Sequence, residues 1–241
     1  MKRLIPMLLS AALVFSLTAC GGSASGASSA SSAGASSAPA SSAASSDGAA
    51  AAGSKILPLE AYQITDPMAD GIYSVSFEAE KLEDTEGGFV LQAVFYAYDQ
   101  YDMVDIANLK PADTLLYHDE SGEELTLTVE TVDTMNGWVS INGGMESENG
   151  LDLLEEDTCY RTLIWDDYPI YYSLGEVLLP IADDAVLNDS SADVQAEPVV
   201  TSGAEAIFDA VQASDGYWVC TNTTVRVEDG VIVEINRRWV P

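Results

Sequence analysis

Basic residues are scarce in this chain. Its 241 residues hold nine Lys and Arg against 39 Asp and Glu, for a net charge of −30. A surface this acidic repels phosphates, which excludes DNA and RNA as partners and argues against charge-driven docking on anionic lipid. Histidine occurs once, at His118, and cysteine three times. With no His-Glu-x-x-His and no Cys/His cluster, a zinc site is not supported. Gly-x-Ser-x-Gly and Ser-x-x-Lys are also missing, which removes two familiar serine-nucleophile arrangements. No apolar run reaches the roughly 20 residues that a membrane-spanning helix requires.

The N-terminus is what a membrane protein without a span can use instead. Basic Met1-Lys2-Arg3 precedes an apolar run from Leu4 to Leu17. That order, ending in small residues, marks a secretory signal peptide. The segment closes on Leu17-Thr18-Ala19-Cys20, which resembles the lipobox of bacterial lipoproteins. The resemblance implies cleavage before Cys20 and a diacylglycerol thioether on its sulfur. An N-terminus acylated in this way, with palmitate or a similar chain, holds a protein stably on the outer side of the cell membrane. Residues 1–19 are therefore expected to be the signal, and the mature protein an extracytoplasmic, lipid-anchored one.

Residues 20–55 are almost wholly Ser, Ala and Gly. Such a composition cannot bury enough apolar surface to offset its ordering entropy, so a flexible tether is expected. Its root-mean-square reach would be roughly 30–35 Å, and about 120 Å at full stretch. Residues 56–241 then form the folded part, long enough for one good-sized core or two small ones.

Within 56–241 the patterning predicts a mainly β fold, an antiparallel sandwich or partly open barrel with one short α-helix near the C-terminus. Polar and apolar residues alternate over Ile72–Glu80, Phe89–Tyr98 and Leu125–Val132. Asn136-Gly137 and Asp229-Gly230 each sit between alternating runs, as type I′ hairpin turns do. Further strands are expected over 160–165, 169–172 and 176–181. Ser202-Gly-Ala-Glu205 reads as a capping box opening a helix with an apolar face of Ala206, Ile207, Ala210 and Val211. The acidic stretch from Ala182 to Pro198 reads as a long loop. Leu109-Lys-Pro-Ala-Asp-Thr-Leu115 is similar to the turn that opens many small β-barrel domains, where Gly is more usual at the position of Ala112.

Several constellations could carry chemistry. Asp99, Asp102 and Asp105 recur at three-residue spacing, and Asp183, Asp184 and Asp189 crowd the acidic stretch. Calcium takes six to eight oxygens, so both groups are candidate calcium ligands, although no EF-hand loop is present. Trp165, Asp166, Asp167, Tyr168 and Tyr171 combine rings that stack on sugar faces with carboxylates that accept hydroxyl hydrogens, as do Tyr96, Tyr98 and Tyr101 around Asp99. The same rings would serve equally as core residues of a β fold.

Cys159 and Cys220 either pair in an oxidising compartment or remain two separate thiols. Cys159 with Arg161 matches part of the L,D-transpeptidase pattern. That family needs His-Gly directly before the cysteine, where this chain has Asp157 and Thr158. Sortases also place a Thr before their cysteine, but their Arg lies well downstream. Adjacent acids also raise a thiol pKa, which opposes nucleophilic use. His118 stands beside Asp119-Glu120-Ser121-Gly122 and reads as a solvated turn histidine.

The expected function is a non-enzymatic binding or accessory module, with a glycan, a basic protein or a divalent cation as ligand. A cell-envelope enzyme with a cysteine nucleophile and a purely structural spacer are the competing classes.

Overall fold

The alternation seen in the sequence builds two β lobes, each with its own apolar core. The structure, a computed structural model, describes residues 53–193, 195 and 197–240. The signal, Cys20 and all but the end of the tether lie outside the described residues.

In chain order the strands are β1 (Lys55–Ile56), β2 (Gly71–Ser76), β3 (Leu82–Thr85), β4 (Gly88–Ala97) and β5 (Gln100–Asp102). Helix α1 (Met103–Ala107) follows, then β6 (Thr114–His118), β7 (Glu124–Thr128), β8 (Val132–Met135), β9 (Trp138–Ile141), β10 (Leu151–Glu156) and β11 (Cys159–Leu163). The C-terminal third holds β12 (Tyr172–Ser190), β13 (Val199–Ser202), α2 (Ala204–Gln212), β14 (Thr223–Glu228) and β15 (Val231–Arg238).

The first lobe is a ring. Strand pairings run β12–β15, β15–β14, β14–β2, β2–β4 and back from β4 to β12. All are antiparallel except β12–β15. The long β12 makes closure possible: residues 172–180 pair with β4, and residues 181–190 pair with β15. Register shifts at 173–175 and 181–186 bend it from one partner to the next, as bulges do. Leu91, Ala93 and Phe95 of β4 alternate inward and meet Val225, Val227, Ile232 and Ile235. Helix α2 adds Ala204, Ile207 and Val211 to the same core, with the Phe208 and Phe89 rings 5.4 Å apart. Each such large side chain contributes roughly 1.5–3 kcal/mol on burial.

Apart from β1, which reaches it from the N-terminal side, the second lobe is inserted between β4 and β12. A three-stranded sheet (β1-β6-β7) and a five-stranded one (β5-β11-β10-β9-β8) enclose Tyr101, Leu115, Val139, Ile141, Leu151 and Leu153. The chain crosses between lobes at Tyr98–Asp99 and again at Tyr171–Tyr172, and Ala97 pairs with Tyr172 at that seam. Asp99 is buried there. Its carboxylate accepts the His118 backbone N–H, lies 3.0 Å from His118 Nδ1, and accepts the Tyr172 hydroxyl at 3.3 Å.

Several expectations need correction. Residues 182–190 are not loop: they continue β12, with Ala185 and Leu187 facing the core and the acids Asp183 and Asp184 exposed. The capping box does not form. Ser202 ends β13, and the helix is capped at Gly203, whose φ of 96° turns the strand into the helix. Ser54 and Lys55 belong to the fold, because the Ser54 N–H donates to Asp113 at 2.7 Å and Lys55 pairs with Thr114. Leu125–Val132 is two strands, β7 and β8. His118 ends a strand against a buried carboxylate and is no turn residue.

Both type I′ turns are as read, with φ of 52° and 79° at Asn136-Gly137 and 51° and 75° at Asp229-Gly230. Ala112 takes φ 76°, the conformation that makes Gly usual in that turn.

Candidate functional site

The outer face of the ring carries one lateral row of polar side chains. Register places Tyr96 beside Ser74, Ser74 beside Thr224, Thr224 beside Asn236 and Asn236 beside Asn188. Alternation explains the row: each is the outward neighbour of an inward residue such as Phe95, Tyr73, Val225, Ile235 or Leu187. The Asn188 side-chain amide donates to Asn236 Oδ1 at 2.9 Å, and the hydroxyls of Tyr96 and Ser76 lie 2.9 Å apart.

This row floors a cleft of about 950 Å³ between the lobes. The inserted lobe supplies one wall with Tyr98, Glu156, Arg161, Asp167 and Tyr171, and the strand ends of the ring supply the other with Thr221, Arg238 and Trp239. Beyond the signal the chain has four arginines, and Arg161, Arg237 and Arg238 all line this cleft.

The three arginines differ in what holds them. Arg237 is committed to structure: its guanidinium pairs with Asp189, donates to Ser214 Oγ at 2.8 Å and stacks 3.9 Å over the Trp218 ring. Arg161 is buried. It donates to the carbonyl of Asp167 at 2.8 Å, while its Nε lies 3.4 Å from Glu156 Oε1 without forming a hydrogen bond. Arg238 is exposed, donates through Nε to the Thr221 carbonyl at 3.1 Å, and has no carboxylate partner among the described residues.

Tyr98 and Tyr171 meet edge to face at 5.5 Å. Burial pushes the Tyr98 hydroxyl well above its usual range, aided by Glu156, whose Oε2 accepts a hydrogen bond from it at 3.2 Å. Burial also raises Tyr171, against the opposing pull of Ser74, Arg238 and Arg161. Both phenols are therefore neutral donors at physiological pH.

Beside the cleft lies a second pocket of about 370 Å³, containing Trp138 and Trp165. Asp166 and Asp167 line both. Their φ angles are 62° and 63°, left-handed for two successive non-glycine residues, at a cost of about 1 kcal/mol or more each. The Arg161–Asp167 bond and an Ile164 N–H to Tyr168 carbonyl bond of 2.7 Å hold this ledge in place.

Asp166, Asp167, Tyr168 and Tyr171 thus come together at the cleft, and Trp165 stands just over the ledge. Tyr96 and Tyr98 join them. Tyr101 does not: it is core, and its hydroxyl donates to the Leu116 carbonyl at 2.9 Å.

The aspartates considered for calcium are not gathered around a point. Asp99 is spent on His118 and Tyr172, Asp102 caps α1 by accepting the Val104 N–H at 2.7 Å, and Asp105 lies within that helix. Asp189 is paired with Arg237. Among the described residues no three His, Cys, Asp or Glu side chains form a group that could hold a metal ion.

Cys159 and Cys220 are both free thiols. Cys159 is buried in β11 and donates to the Glu156 carbonyl, whereas Cys220 lines the cleft, and of the two arrangements left open by the sequence the structure has the separate thiols. Burial raises both thiols, and Glu156 and Asp157 raise Cys159 further.

Sequence reasoning missed Ser74, Asn236 and Arg238. The signal available for the first two was the outward half of each strand's alternation. No protein family matches the chain, and no curated protein or solved structure matches it either.

Proposed function

We propose that this protein is a non-enzymatic binding module, held outside the cell membrane by lipid on Cys20, whose inter-lobe cleft takes a glycan. The cleft itself carries the proposal: a floor of hydroxyls and amides, walls of tyrosine and tryptophan, and an arginine with no carboxylate partner among the described residues. Sugars present flat apolar faces ringed by hydroxyls, and a rigid aromatic wall over a polar floor matches both.

A basic protein fits the site less well, because the arginines collect there. A cation fits less well because the acids are dispersed. The cysteine-nucleophile alternative is disfavoured by two thiols whose pKa values are pushed up, away from the reactive thiolate. A mere spacer would have no use for a pinned, strained ledge beside two tryptophans.

Calorimetric titration with a panel of neutral, amino and acidic oligosaccharides tests the ligand class. Binding by at least one member, weakened about tenfold by Tyr171→Ala, is expected. No binding across the panel contradicts it. Cys20→Ser should move the protein from the membrane fraction to the medium, and retention in the membrane would sink the anchoring proposal.

A further inference from the structure

The second pocket has features of its own that binding in the cleft alone does not require. Trp165 is 66 % exposed, an unusual amount of aromatic surface to leave in water. Trp138 beside it is fixed: its indole N–H donates to Asp152 at 3.1 Å. Asp152 is itself buried and also accepts from Ser140 Oγ at 2.5 Å and the Met145 N–H at 3.0 Å. Its carboxyl oxygens are therefore used internally to hold one ring rigid. Glu146, Asp166 and Asp167 leave carboxylate acceptors at the pocket.

The ledge joins the two sites physically, since Asp166 and Asp167 line both. Arg161 grips it from the cleft side by bonding the Asp167 carbonyl. Two successive left-handed residues keep the ledge low and tightly turned where a regular strand would run on.

We propose that the cleft and the tryptophan pocket are two subsites of one groove, and that the ligand is a linear glycan chain lying across the Asp166–Asp167 ledge. The proposal rests on the glycan reading of the cleft and adds that the ligand is a polymer. The chain stacks on Tyr98 and Tyr171 at one end and on Trp165 and Trp138 at the other. Carboxylates of the ledge accept its hydroxyls in between.

Length dependence tests it. Each saccharide of the panel is titrated into the protein as the disaccharide and as the hexasaccharide. The hexasaccharide should bind about tenfold more tightly or better, because it fills a second aromatic subsite. Trp165→Ala should remove that gain, and Trp165→Phe, which keeps a ring, should restore most of it. Trp165 is exposed, so neither substitution threatens the fold. A disaccharide that binds and is weakened by Tyr171→Ala, with no gain for the hexasaccharide, would overturn the extended groove and leave the cleft standing. A length gain untouched by Trp165→Ala would overturn it too. No saccharide binding at all would overturn both.

Discussion

The two lobes are stabilised by different means. The ring buries an apolar interior completed by α2, and its one buried charged side chain among the described residues, Arg237, is paired with Asp189 and stacked on Trp218. The inserted lobe instead contains all three buried carboxylates among the described residues, Asp99, Asp113 and Asp152. Each is a hub. Asp113 accepts the N–H groups of Ser54 and Lys110, and Asp152 holds Trp138, Ser140 and Met145. Asn142 does similar work, accepting from Glu130 and Thr131 while donating to the carbonyls of Thr128 and Asn149. Regular strand pairing satisfies the ring's backbone. The inserted lobe has shorter strands and sharper turns, and side chains complete its hydrogen bonding. The cleft takes one face from each: a flat polar floor from the ring and a shaped wall from the turns.

That contrast can be broken by substitution. The largest effect is expected in the ring, where Ile207→Ala removes a fully buried side chain from the helix plug and should cost about 2–5 kcal/mol by denaturant unfolding. Next is Asp113→Ala, which strands two backbone donors and should cost about 2–3 kcal/mol. If Asp113→Ala were harmless, the carboxylate hubs would not be what holds the inserted lobe together. Ala112→Gly should stabilise by about 1 kcal/mol, since it relieves a left-handed alanine on an exposed turn.

Acid sharpens the comparison from the ring side. Burial would raise the Asp189 carboxyl, but hydrogen bonds from Arg237 and Ser191 outweigh it and hold it below the ordinary range. A carboxyl depressed in the folded state contributes stability above its unfolded pKa, near about 4, and that contribution is lost as pH falls through the folded value. Asp189→Asn should therefore flatten the acid limb of the stability curve below about pH 4. The smallest effect is expected from calcium: melting temperatures in calcium and in magnesium at equal concentration should coincide. A calcium-specific rise would restore a site that the dispersed aspartates do not form.

Local features were legible in the sequence wherever the determinant was local. Asn136-Gly137 and Asp229-Gly230 specify their turns through φ alone, and the alternation of β4 and β14 follows from one buried face. The acidic run 183–189 misled because charge suggested solvent, and a strand with one face in water accommodates such charges readily. Its partners could not be read either. β12 meets β4 on one half and runs parallel to β15 on the other, pairings that depend on closing the ring over long sequence separations. The cleft shares that origin. Trp165 to Tyr171 was a visible cluster, but its floor is drawn from positions 74, 96, 188, 224 and 236, which only the ring brings into one row.

The central claim is that the space between the lobes is a ligand site. Amide chemical shifts followed by NMR during titration with an oligosaccharide from the panel test it most directly. The expected result is a set of perturbations on the floor and both walls at once, at Ser74 of the floor, at Thr221 and Trp239 of the ring's wall and at Arg161 and Tyr171 on the opposite wall. Perturbations confined to another surface, or none at saccharide concentrations well above those of weak lectin-type binding, would contradict it.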